Sequence, residues 1–268
     1  MPNQSPVQRE TPQPAEEFAR VPAVWGDTFV AHSYEVDFKK TATLENLCRR
    51  FQEAAWNHAE ALGLGYERLQ RENKIWVLSR LAMKVERYPK WGEIVKLQTW
   101  PRTAKSVFAM RDFEMVDTGG ARLLGGASAW LVLDTTTRKP QRVDKLVSGI
   151  RASADRHALG HDPEKLPGCE ASPTGMEVFV RYSDIDVNGH VNNSKYIGWL
   201  LDSYPLDFHR HHAAASLEVN YLGETIGGDM LSILSKEMGA GQYWHSIVKS
   251  GTGIEVCRAR IIWDGRME

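Results

Sequence analysis

The sequence predicts an α+β protein built from two tandem copies of one unit, a long helix laid against an antiparallel sheet. Two observations carry this reading, and a third permits it. A segment with apolar residues at three- and four-residue steps is followed by four extended runs, and the same order returns after about 150 residues. In each copy a glycine-bearing turn precedes the last strand, Asp117-Thr118-Gly119-Gly120 in the first and Ser250-Gly251-Thr252-Gly253 in the second. The chain has 268 residues, 42% hydrophobic and 9% aromatic, enough for a sizeable core or for two domains of about 100 to 150 residues.

In order along the chain, residues 1–20 are rich in Pro, Gln and Glu, with almost no large apolar side chains, and read as a disordered tail. The first unit is placed at 21–138. A strand is expected at 29–36. Thr43 then caps a helix in which Leu44, Leu47, Cys48, Phe51, Ala54, Ala55 and Leu62 share one face, with Gly63 and Gly65 ending it. Extended runs at 75–88, 93–100, 106–116 and 121–134 are punctuated by turns at 89–92, 101–104 and 117–120. Gly125 and Gly126 inside the last run suggest a bulge or bend in a sheet that curves round a helix.

Residues 139–173 lose this periodicity and are expected to be a connector with room for a short helix. The second unit, 174–268, opens with a strand at 176–183. A polar loop leads from it to a helix at 193–204 with Asn193 as its cap, and strands follow at 214–222, 229–238, 242–249 and 253–263.

Lys and Arg total 33 against 34 Asp and Glu, a net charge of −1, so no overall field argues for nucleic acid. No apolar run approaches the roughly 20 residues of a membrane helix, the first residues lack an apolar signal core, and the tail is too acidic for an organelle transit peptide. Cys48, Cys169 and Cys257 are far apart and odd in number, which fits a reducing, cytoplasmic setting. No glycine loop for phosphates is present, so no cofactor is expected. His209, His211 and His212 lack a partner cluster at ligand spacing and read as a solvated loop rather than a metal site.

The chemistry-bearing stretch is 181–202. It packs Asp184, Asp186, Asn188, His190, Asn192 and Asn193 ahead of a helix whose start can stabilise negative charge. If its backbone is extended, the acid, amide and imidazole at 186, 188 and 190 face one cavity. The alternative is ordinary Asx-turn chemistry. The first unit has Asp37, Phe38, Lys39, Lys40 and Thr41 at the same place, with no counterpart of Asn188 or His190. Only the second copy carries a site, which frees the first to shape a substrate cavity.

The stretch 186–202, together with 76–80, 86–93, 128–140 and 219–224, resembles the acyl-acyl carrier protein thioesterases, double hotdog proteins of bacteria and plant plastids, in order and over nearly the whole chain. A hotdog domain is a long helix wrapped by an antiparallel sheet, so the resemblance implies the architecture read above. It also implies hydrolysis of fatty acyl-acyl carrier protein to free fatty acid, with acyl carrier protein as the partner presenting acyl-phosphopantetheine, and a monomer or homodimer. The family's active-site acid, amide and imidazole fall on Asp186, Asn188 and His190. Its glutamate falls on Glu224, 34 residues after His190, which without the resemblance reads as a solvent-facing residue at a strand end.

Plant members place a cysteine after that glutamate; here Thr225 stands there, which shifts the weight from a thiol to the carboxylates. The expected division of labour gives Glu224 or Asp186 the role of base or nucleophile and His190 proton transfer. Asn188 and the helix amides would hold the thioester oxygen, and some tryptophans of the first unit would line an acyl tunnel. The competing functions are an acyl-CoA thioesterase and a non-catalytic acyl-binding protein.

Overall fold

Thr43 opens the long helix α1 (Leu44–Ala61) by accepting the Asn46 amide at 3.3 Å on its hydroxyl. Leu44, Leu47, Cys48, Phe51, Ala54, Ala55 and His58 form its buried stripe. The chain turns out of the helix at Gly63, whose φ of 63° is the left-handed value a helix end favours, and makes one short further helix, α2 (Tyr66–Arg71). The computed structural model describes residues 21–265 apart from Ala154 and Cys169. The tail expected at 1–20 lies outside the described residues.

Around α1 run strands β1 (Trp25–Val30), β2 (Lys74–Val85), β3 (Ile94–Pro101), β4 (Phe108–Val116) and β5 (Arg122–Asp134), with a two-residue β6 (Pro140–Gln141) beside β5. The second copy comprises β7 (Ser172–Phe179), α3 (Asn193–Asp202), the short α4 (Leu206–His211), β8 (Ala213–Tyr221), β9 (Met230–Gly239), β10 (Gln242–Lys249) and β11 (Glu255–Asp264). All pairings are antiparallel and the strands make one continuous sheet, in the order β1-β3-β4-β5-β2-β8-β11-β10-β9-β7. The halves meet where β2 pairs with β8, from Arg80 opposite Asn220 to Lys84 opposite Ser216. On the inner face α1 packs against α3, and the Arg49 Nε–H donates to Ser194 Oγ across that contact at 3.1 Å.

The strand expected at 29–36 ends at Val30, because residues 33–35 form a 3-10 turn in which Glu35 reaches back to the His32 amide at 3.0 Å. The second copy does the same: its strand lies at Ser172–Phe179 instead of 176–183, and Asp184 takes the Arg181 amide at 2.9 Å. Among the described residues of the connector, the room left for a short helix is not used. That stretch is pinned instead by polar bonds to the sheet, Ala158 N–H to the buried Asp112 at 2.8 Å and Leu166 N–H to Asn220 at 2.8 Å.

Gly125 and Gly126 are themselves paired in register on both sides, and the irregularities of β5 fall beside them, opposite Leu78/Arg80 on β2 and opposite Met115/Val116 on β4, where Leu123 is skipped. Gly126 serves packing: a Cβ there would sit 2.3 Å from the Phe51 ring, which stacks on Phe113 at 4.3 Å between helix and sheet. His209 and His211 lie on α4, not in a loop, with His212 at its end. Each ring bonds a backbone carbonyl, of Leu201, Asp207 and Phe208 respectively. Among the described residues no helix is long and apolar enough to cross a membrane.

Candidate active site

The two copies carry one turn twice. In the first, Asp37 N–H bonds Thr41 O at 2.9 Å, Lys40 N–H bonds Asp37 O at 2.9 Å, and Lys39 N–H bonds Asp37 Oδ1 at 2.9 Å. In the second, Asp186 N–H bonds His190 O at 2.8 Å, Gly189 N–H bonds Asp186 O at 3.0 Å, and Asn188 N–H bonds Asp186 Oδ1 at 2.8 Å. Lys39 and Thr41 therefore stand where Asn188 and His190 stand. The Lys39 ammonium is spent on the carbonyls of His209 and His212, at 2.8 and 3.0 Å, at the end of α4.

This geometry corrects two expectations. The segment 186–190 is a closed turn and not an extended strand, and the Asp186 carboxylate is the Asx acceptor that holds it. The cap of α3 is Asn192 rather than Asn193: its side chain takes the Ser194 amide at 2.9 Å, and its carbonyl takes the Lys195 amide at 2.9 Å. Two of the helix-start amides expected to face a substrate are thus already bonded.

Glu224 arrives from the loop after β8. Val191 N–H bonds Thr225 O at 2.9 Å, which joins that loop to the 186–190 turn. The imidazole Nε2 of His190 then lies 3.5 Å from Glu224 Oε2, with side chains 31% and 38% exposed. The same carboxylate oxygen is also ion-paired to Arg138. Arg138 comes from the first half, at the end of a turn held by Asp134, whose Oδ1 accepts the amides of Thr136 at 3.0 Å and Thr137 at 2.7 Å. Sequence reasoning missed Arg138. Its only signal was a place in the stretch 128–140, since nothing in residue spacing shows that a turn 86 positions away reaches Glu224.

Asp186 and Asn188 line one end of a cavity of about 960 Å³, together with Tyr182, Ile185, Asn192 and Asn193. The cavity continues into the first half between α1 and the sheet, where Trp56, Trp76 and Trp130 are among its walls. The Oδ1 of Asn188 is buried with no hydrogen-bond partner, an unusual state for an amide. Thr225 is fully buried, and its Oγ1 accepts the Tyr196 hydroxyl at 2.7 Å. The described cysteines are no nearer to being nucleophiles: Cys48 and Cys257 are buried and free. Burial pushes the Cys48 thiol up to about 12 and the Cys257 thiol further still.

Family models match the chain over most of its length, as acyl-ACP thioesterase N-terminal domain at 22–150 and acyl-ACP thioesterase C-terminal domain at 170–265. The chloroplastic palmitoyl-acyl carrier protein thioesterase of Gossypium hirsutum is 29% identical over 265 residues, covering 90% of this chain and 63% of that protein. The chain thus spans a little under two thirds of that relative's length. Among solved structures, an acyl-ACP thioesterase from Bacteroides thetaiotaomicron superposes with a TM-score of 0.82 at 29% identity, over 90% of this chain and 98% of the other. The 12:0-ACP thioesterase from Umbellularia californica gives 0.80 at 26% identity, over 91% and 98%. With its paired helix-on-sheet units in the hotdog arrangement, the chain belongs to the acyl-ACP thioesterase family.

Proposed function

We propose that the protein hydrolyses the thioester of fatty acyl-acyl carrier protein and releases free fatty acid. The observation that carries this is the His190–Glu224 pair, 3.5 Å apart: His190 stands two positions along the turn from Asn188, which lines the tryptophan-walled cavity, while the pair itself lies outside the lining. The relatives named for acyl-acyl carrier protein hydrolysis support the same reading, and they favour the carrier protein over CoA as the acyl donor. We divide the chain accordingly into a cavity-shaping unit at 21–138, a connector at 139–173 and a unit bearing the polar site at 174–268. One chain already supplies both helices and both half-sheets, which favours a monomer as the working unit, and the buried free thiols fit a reducing, cytoplasmic setting.

In the proposed reaction the acyl chain fills the cavity and brings the thioester carbonyl to Asn188. The amide of Asn188 can be turned so that its N–H donors hold the carbonyl oxygen as it becomes negative. Glu224, ion-paired with Arg138, fixes the imidazole by accepting from Nε2–H, and the Nδ1 of the ring takes a proton from water as the water oxygen bonds the carbonyl carbon. When the C–S bond breaks, its electron pair leaves on sulfur, and the imidazolium returns the proton to the thiolate. Asp186 serves by holding the turn.

The test is release of free acids from a mixed acyl-acyl carrier protein pool, run beside acyl-CoA of matched lengths and repeated with Glu224→Gln. Acid release from the carrier protein, lost in the variant, is expected. Tight acyl binding with no hydrolysis would instead establish a binding protein.

A further inference from the structure

Among the described residues, Arg111 is a cation in the wall of the cavity with no anion beside it. On β4, Arg111 and Phe113 face α1, where Phe113 stacks on Phe51. Arg111 follows, with Nη1 3.1 Å from His58 Nδ1 and 3.2 Å from Thr99 Oγ1. Both partners are neutral acceptors with their own protons committed elsewhere. The His58 ring nitrogen Nε2 lies 3.1 Å from Pro22 O and carries the hydrogen, and the Thr99 hydroxyl donates to Asp112 O at 2.9 Å. Among the described residues no carboxylate pairs with Arg111. The contrast lies nearby: Arg102, which is buried where Arg111 is half-buried, is neutralised by Asp112 and Asp162. Burial lowers the Arg111 guanidinium to about 10 without opposing charge, and the surface it keeps faces the cavity among Met110, Trp130 and Trp76.

A plain hydrocarbon chain drawn past this group strips its water and offers nothing in exchange. A chain with an oxygen at that depth restores a charge-assisted hydrogen bond. The depth follows from α1. Arg49 bonds Ser194 beside the Asn192–Asn193 end of the cavity, and His58 lies nine positions further along the helix, an axial distance of about 14 Å.

We propose that Arg111 is a chain-recognition group, and that the cavity takes acyl chains bearing a hydroxyl or keto oxygen beyond their middle in preference to plain saturated chains of the same length. The route of the chain into the cavity rests on the thioesterase reading, but the recognition itself does not require turnover.

The test uses the full-length protein and amide-linked acyl-pantetheine analogues, which cannot be hydrolysed, with a hydroxyl moved stepwise along the chain and binding read by calorimetry. One hydroxyl position should bind at least about tenfold tighter than the unsubstituted chain, the scale of one hydrogen bond to a charged group. Arg111→Leu should remove that preference, while a short acyl analogue that stops before Arg111 binds both proteins alike. A flat series in the wild-type protein overturns the inference, and so does a preference that survives Arg111→Leu. Should the variant fail to fold, the wild-type series still decides. A binding peak without thioester hydrolysis would keep this inference and remove the proposed activity; hydrolysis with a flat series would do the reverse.

Discussion

The amide of Val191 and the carbonyl of Thr225 lie 2.9 Å apart, and that single bond sets the residues beside them, His190 and Glu224, at 3.5 Å. The two carboxylates of the site then have different work. Glu224 meets the imidazole, whereas the Asp186 Oδ1 is occupied by the Asn188 amide at 2.8 Å. Glu224→Gln and His190→Ala should each lower kcat by about 10² or more. Asp186→Asn keeps an oxygen acceptor in the turn and should cost only several-fold. Steady-state hydrolysis with circular dichroism as the folding control decides it, and an active Glu224→Gln beside a dead Asp186→Asn would exchange the two roles.

Arg138 reaches the site only through Glu224, with which it is ion-paired. Arg138→Ala should therefore lower kcat by about tenfold with little change in KM, and Arg138→Lys should recover part of the loss. The decisive measurement is a double-mutant cycle. In a Glu224→Gln background the Arg138→Ala change should have almost no further effect. Independent, multiplying losses would mean that Arg138 touches substrate by itself.

Thr225 separates structure from chemistry. It is fully buried and accepts the Tyr196 hydroxyl at 2.7 Å, so Thr225→Ala leaves a buried hydroxyl without its acceptor. The expected cost is about 1 to 3 kcal/mol of stability, read as a lower urea midpoint, with kcat within a few-fold of wild type. A severe loss of turnover at unchanged stability would show that the hydroxyl takes part in the reaction.

What was legible in the sequence followed periodicity. The stripe from Leu44 to Ala55 and the four-strand runs needed only local spacing, and they stand within a few residues of expectation. What failed were features in which a side chain overrides the local pattern. Glu35 and Asp184 fold back on the amides of His32 and Arg181 and cut two strands short, and Asn192 takes the cap from Asn193. Gly126 is small because Phe51, from another element, needs the room. Of the candidate site, Asp186, Asn188 and His190 stood out from the loop's own residues, and Glu224 was proposed only through a family resemblance. Arg138 and Arg111 were not found, because their partners lie 86 and 53 positions away and only the folded sheet brings them together.

Two buried histidines make stability depend on pH in a defined window. His58 is fully buried and His245 is 2% exposed. Burial holds both down at about 4, well below the ordinary 6.5, and for His58 the Arg111 charge adds to the effect. The unfolded chain therefore takes up these protons as pH falls below 6.5, whereas the folded protein does not until about 4. Stability is full above the unfolded value and is lost between those limits, because the unfolded state binds more protons there. Each residue contributes of the order of 3 kcal/mol at full protonation, and the pair together is comparable with the whole stability of many domains. Urea midpoints should fall steadily from pH 7 to pH 5.5, above the range in which most carboxylates titrate, and His245→Gln should flatten the slope by up to about one proton. Equal midpoints at pH 7 and pH 5 would mean that both rings are protonated, or released to solvent, without cost in the folded protein.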